Sequence, residues 1–249
     1  MNRRILLEVC VASVDDALVA IAGGADRLEL NSALALGGLT PSAGLMGEVR
    51  SRVSVSIVAM VRSRPGGFCY SSTDYDVMLR DARELLSAHA DGLAFGILTE
   101  SGEIDVPRCR RLREMIGDKQ AVFHRAFDVT PDPFAALEAL VELRFKRLMT
   151  SGQQARASDG APVIAELIRR AAGRIEVLPA GGINTTSVAD LVARTHCEQV
   201  HASLRRAVSD PSVRAQSPVA FGSATGVPEG FFEITDADAV ARMRAALNQ

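Results

Sequence analysis

Short apolar runs rich in β-branched residues alternate along this chain with longer stretches of helical spacing, and the alternation recurs about eight times. The pattern predicts strands over residues 5–10, 27–30, 53–61, 92–97, 121–124, 147–150, 175–178 and 199–202. Helical segments are predicted to start near Ser13, Pro41, Asp74, Val106, Pro133, Ser158 and Thr186. Ser13, Asp132 and Ser158 carry side-chain oxygens suited to capping exposed N–H groups, and Pro41 and Pro133 suit a first helical turn. Small residues close several helices just before the next strand, as in Gly23-Gly24-Ala25-Asp26 and Ala172-Gly173.

Eight βα units in 249 residues match the size of a single-domain α/β protein of the (β/α)8 TIM-barrel class. A doubly wound open sheet would place a GxGxxG turn after its first strand, where Cys10-Val11-Ala12-Ser13 stands instead. The whole of 1–249 is therefore expected to form one domain, with the barrel over about residues 5–205. Residues 209–230 are rich in Ser, Pro and Gly and lack apolar periodicity, so 206–234 is expected to be a covering loop. Helical spacing returns over 235–248, a closing helix with Thr235 as its cap.

The net charge of −2 and sequence pI near 6.1 argue against nucleic-acid binding, which depends on neutralising many phosphates. The longest apolar runs are too short and interrupted to span a bilayer, and Glu8 closes the first one before a signal-peptide core could form. A cytoplasmic protein is expected. Its four cysteines, Cys10, Cys69, Cys109 and Cys197, are widely spaced and form no CxxC pair, so neither a zinc module nor a disulfide framework is signalled. Only Lys119 and Lys146 are lysines, and neither ends a strand, which removes Schiff-base chemistry.

In a TIM barrel the site forms where strands end, so the polar residues at those ends can be gathered. The apolar strand at 121–124 ends on His124, Arg125 and Asp128, an unusual concentration of ionisable groups. Glu8 and Glu29 are carboxylates inside apolar strands, and period-two alternation puts Glu8 with Cys10 on one face and Glu29 with Asn31 on one face. Glu8, Glu29, His124 and Asp128 are the candidates for proton transfer, with Arg62 or Arg125 tuning the carboxylates; structural ion pairing is the alternative for both glutamates. Arg62, Arg125, Ser151, His201 and Ser203 are candidate anion ligands. Gly181 and Gly182 join them, because small residues after the seventh strand let backbone N–H groups reach an anion, although a tight turn alone would also use two glycines.

Six stretches carry a resemblance to a known family. They are Leu7-Glu8-Val9-Cys10, Gly24-Ala25-Asp26-Arg27-Leu28-Glu29-Leu30, Gly37-Gly38-Leu39-Thr40-Pro41-Ser42, Phe68-Cys69-Tyr70-Ser71, Phe123-His124-Arg125-Ala126-Phe127-Asp128 and Thr150-Ser151-Gly152-Gln153. Together they resemble the CutC family, named as copper-homeostasis proteins. The resemblance implies a cytosolic barrel, a homo-oligomer (dimer or tetramer), and Cu(I) as its ion, with no established reaction. Under it, Cys10 and Cys69 are the thiols expected to meet at the barrel mouth as metal ligands, joined by Met60. Two departures stand out. Asn31 replaces a cysteine found in many members, which weakens a Cu(I) site built on that thiol, and Arg62-Ser63-Arg64-Pro65-Gly66-Gly67 rearranges an arginine-rich loop. Two readings result: copper binding, and an enzyme or binder for a small anionic, possibly phosphorylated, metabolite.

Overall fold

The computed structural model describes residues 4–213, 219 and 228–248. Eight parallel strands, β1 (Leu6–Val11), β2 (Arg27–Leu30), β3 (Ser56–Met60), β4 (Gly92–Phe95), β5 (Gln120–Phe123), β6 (Arg147–Thr150), β7 (Glu176–Pro179) and β8 (Gln199–Ala202), form one sheet. Its order, β7-β6-β5-β4-β3-β2-β1-β8, brings β7 and β8 side by side without a hydrogen-bonded ladder between them. Pro179 contributes to this seam, because it has no N–H to donate. Helices α1 (Val14–Ala22), α2 (Ala43–Arg52), α3 (Ser72–Ser87), α4 (Val106–Ile116), α5 (Pro133–Glu142), α6 (Ala161–Ala171) and α7 (Val188–Thr195) each follow their strand, and α8 (Ala237–Leu247) closes the chain. The result is the expected single-domain TIM barrel. No helix among the described residues is long and apolar enough to cross a membrane.

Local start signals act as expected at Ser13, whose side chain accepts the Asp16 N–H, and at Asp132, which caps α5. Elsewhere the chain chooses a neighbour. Ser42 rather than Pro41 begins α2, Gly160 rather than Ser158 precedes α6, and Asp236 rather than Thr235 caps α8. In each case the residue that wins has its backbone at the turn into the helix.

Residues 206–234 are not simply a covering loop. β9 (Arg205–Ser209) and β10 (Phe231–Thr235) pair antiparallel as a two-stranded ribbon, while 214–218 and 220–227 lie outside the described residues. The Asp16 carboxylate, buried at the head of α1, accepts the Thr235 N–H at 2.6 Å and the Ala12 N–H at 3.3 Å, tying the ribbon back to β1.

The strands are buried on both faces, as a parallel sheet under helices requires. Leu7, Val9 and Val11 pack outward into the main core with Leu28, Leu30 and Phe95, which leaves Glu8 and Cys10 facing inward. Inside the barrel, Val58, Met60, Ala94 and Val122 form one small apolar cluster and Met149, Leu178 and Ala180 another. At the strand beginnings a polar girdle closes the floor. Arg27 donates to Glu8 and to Gln199 Oε1 (2.8 Å), and Gln199 donates to Glu176 Oε2 (3.2 Å). Arg147 donates to Glu176 Oε2 and to Gln120 Oε1, both at 3.0 Å, and Gln120 donates to Ser56 Oγ (2.9 Å). Both lysines stand at this end, Lys146 pairing with Glu176 at 2.8 Å and Lys119 donating to the Ala90 carbonyl.

Candidate functional site

A cavity of about 390 Å³ opens at the carboxyl ends of the strands. It brings together most of the residues expected from the sequence: Cys10, Glu29, Arg62, His124, Arg125, Gly181, Gly182, His201 and Ser203, with Asn31 and Met60 beside them. Each arrives by strand parity. Glu29 and Asn31 project inward at the end of β2, and His201 projects inward from β8 opposite Glu8, its register partner on β1. His124 needs more than parity, since a Cβ on Gly96 would lie 2.7 Å from its ring. Gly96 thus leaves the space in which the imidazole sits.

His201 is the electrostatic centre. Its Nδ1 lies 2.8 Å from Glu8 Oε1 and its Nε2 lies 3.9 Å from Glu29 Oε2. Burial alone would lower the His201 pKa, but Glu29, the Cys10 thiol and Glu8 outweigh it and hold the imidazole well above its ordinary range. Burial likewise opposes ionisation of Glu8, yet Arg27 and His201 overcome it and keep that carboxyl well below the ordinary carboxylate range. Glu29 goes the other way. Burial raises it, the negative charge of Glu8 adds to the rise, and His201 only partly offsets both. One charged carboxylate, one cation and one carboxyl inclined to keep its proton therefore share a single cluster. The ligand atoms of Glu8, Glu29 and His201 lie within 4.8 Å of one another, a spacing a metal ion could bridge.

His124 is a different kind of histidine. Its Nδ1 accepts the Ala126 N–H at 3.1 Å, so the proton of the neutral ring belongs on Nε2. Burial and the nearby Arg62 push its pKa down to about 3, leaving a neutral imidazole that carries its proton on Nε2. Arg62 spends its terminal nitrogens on the carbonyls of Leu36, Gly38 and Gly66 and stacks over Phe68 at 5.2 Å. Among the described residues, six buried polar atoms of cavity-lining residues then remain without a hydrogen-bond partner: Glu29 Oε1, Asn31 Oδ1, Arg62 Nε, His124 Nε2, Arg205 Nε and Arg205 Nη1. Leaving such a group unsatisfied costs about 1–3 kcal/mol, so six around one pocket mark a place built around something else.

Other sequence candidates lie outside the cavity lining. Glu8 sits beneath it, and its partner is Arg27 rather than the expected Arg62 or Arg125. Asp128 accepts from Arg125 Nε (2.7 Å), Thr150 Oγ1 (2.6 Å), Ser151 Oγ (2.9 Å), the Ser151 N–H (2.9 Å) and the Gln153 N–H (3.3 Å). Its lone pairs are spoken for by the turn after β6, a structural office that leaves no capacity for moving a substrate proton. Ser151 belongs to that same turn and also receives Arg125 Nη2 at 2.9 Å. Cys69 is exposed on a loop, its carbonyl receiving Arg64, and it does not join Cys10 in the cavity. Sequence reasoning missed Arg205 and Glu233, which line the cavity from the ribbon and carry no signal while that segment reads as a loop. Phe68 lies within a motif already singled out but was given no role there.

Comparison with known proteins adds a second line. A sequence model described as the CutC family matches residues 5–206. A family protein CutC of Treponema denticola is 41% identical over 98% of this chain and 100% of its own length. A human protein named copper homeostasis protein cutC homolog is 40% identical over 96% of this chain and 88% of its own. A solved structure from Streptococcus agalactiae bearing the CutC name superposes with a TM-score of 0.76 at 30% identity, covering 79% of this chain and 97% of that one. Phosphoribosylanthranilate isomerase of Thermotoga maritima shares the fold alone, with a TM-score of 0.56 at 14% identity over 98% of both chains.

Proposed function

The chain belongs to the CutC family, and from that premise we propose that its barrel mouth binds a small anionic metabolite and moves a proton on it. The observation that carries this reading is the set of six unpartnered buried polar atoms on residues that line one cavity. Four are donors, Arg62 Nε–H, His124 Nε2–H and the Nε–H and Nη1–H of Arg205, suited to an oxyanion or a carbonyl oxygen. Two are acceptors, Glu29 Oε1 and Asn31 Oδ1, suited to hydroxyl groups. Glu29, with its raised pKa and with His201 close by, is the group best placed to give or take a proton. Gly181, Gly182, Ser203 and Arg125 supply further donors at the rim, while Glu8 and Asp128 serve as positioning residues behind His201 and Arg125. The same reading keeps the protein in the cytoplasm as a homo-oligomer, in accord with its four free thiols.

A screen of anionic metabolites by thermal shift tests it. The expected result is a ligand whose affinity falls about 10- to 100-fold in both Arg62→Gln and His124→Gln, the effect of removing one charge-assisted or buried donor. A ligand indifferent to both substitutions, or no ligand at all, would overturn the reading.

A second reading follows from the soft donors. Cys10 and Met60 line the same cavity as His201, and thiol, thioether and imidazole suit Cu(I) better than the carboxylates do. Copper named in the relatives would then be cargo held by Cys10, Met60 and His201. Competition against a Cu(I) chelator should show Cys10→Ser weakening binding at least tenfold and Cys69→Ser leaving it unchanged. Equal affinity in Cys10→Ser would sink it.

A further inference from the structure

Resting on the small-anion reading, the geometry points to a phosphate group as the ligand's charged end, seated at the seam between β7 and β8. The seam is open because no ladder joins these strands, and the chain leaving β7 passes through Gly181 and Gly182 at φ of 106° and 65°. The backbone N–H groups of Gly181, Gly182 and Ile183 meet no acceptor among the described residues. Successive N–H groups on a left-handed turn form a concave donor set, which suits the oxygens of a tetrahedral anion.

Side chains supply the charge. A Cβ on Gly181 would stand 3.1 Å from Arg125 Cζ, so that guanidinium lies directly against the turn. Arg205 comes from the opposite side, on the first residue of β9. Its Nη2 donates to the Glu233 carbonyl, while Nε and Nη1 are buried without a hydrogen-bond partner. The Glu233 carboxylate stands 3.5 Å from Nε, outside hydrogen-bond reach, and is about one-third exposed. It neutralises Arg205 loosely and can swing to solvent when an anion arrives. Arg125 keeps Nη1 beyond its bonds to Asp128 and Ser151, and with the two unpartnered Arg205 nitrogens and the run of free N–H groups it makes a donor set that a phosphate with three terminal oxygens uses. Anchored there, the rest of the ligand extends across the cavity toward His124, Arg62 and Glu29, the other members of the same lining. The substrate class is therefore a small phosphate monoester whose far end carries the carbonyl or hydroxyl groups on which Glu29 acts.

The test is titration of the 15N-labelled full chain with inorganic phosphate. The amide signals of Gly181, Gly182 and Ile183 are expected to move together and saturate. Arg205→Gln should weaken phosphate binding about tenfold, and Glu233→Gln should tighten it several-fold by removing a competing carboxylate. Unmoved glycine signals, or equal phosphate affinity in wild type and Arg205→Gln, would overturn the phosphate site. A non-phosphorylated anion from the metabolite screen that shifts signals around Glu29 and His124 but not the glycines would reject the phosphate site and keep the broader reading. If neither phosphate nor any screened anion shifts a cavity signal, both fall.

Discussion

Replacing Asp128 by alanine is expected to cost about 2–4 kcal/mol of stability, because several donors of a part-buried network lose one acceptor. Four donors lose their acceptor at once, Arg125 Nε, the Thr150 hydroxyl and the Ser151 and Gln153 amides, while the Ser151 hydroxyl keeps the Gln154 carbonyl. At about 2–4 °C per kcal/mol for a chain of this size, the melting temperature should fall by about 10 °C. Asp128→Asn keeps one acceptor oxygen and loses the charge, so it should fall between the two. The loss should also release Arg125 from the turn and weaken any anion at the rim. Thermal melting of the three proteins decides it, and an alanine variant as stable as the wild type would show the network to be ornamental.

Glu8→Ala is expected to cost about 3–5 kcal/mol, because it leaves Arg27 and the His201 cation buried with their principal counter-charge gone. The informative comparison is the double variant Glu8→Leu with Arg27→Met. It removes both charges together and should recover much of the loss, as apolar replacement of a buried ion pair commonly does. Recovery would be incomplete, since Gln199 Oε1 and His201 Nδ1 each lose a partner. If the double variant melts no higher than Glu8→Ala, the pair is not the source of the stability.

How much of this could be read in advance differs between fold and site. The strands announced themselves because parallel strands under helices are apolar on both faces, and an isolated Glu29 or His124 among such residues is conspicuous. Parity also sent Cys10 and Glu8 to one face correctly. What parity could not reveal was pairing. Arg27 meets Glu8 because the two are register partners on adjacent strands, a relation separated by nineteen residues in the chain. His201 gained its importance the same way, from standing opposite Glu8 across β1 and β8. The ribbon escaped notice for a further reason. β9 and β10 are each five residues long and are joined through a segment rich in Ser, Pro and Gly. Cys69 shows the converse, a motif residue exposed on a loop and outside the cavity lining.

The distribution of lysines has a consequence of its own. Both lie at the floor of the barrel, so the permanent cations around the cavity, Arg62, Arg125 and Arg205, are all guanidinium groups. Arginine does not lose its proton at any pH a folded protein survives. The mouth therefore wears a collar of fixed positive charge around a centre that titrates. The same asymmetry makes the two ends chemically separable: an amine-reactive surface or an acylating enzyme would grip the molecule by its floor and leave the mouth facing solution.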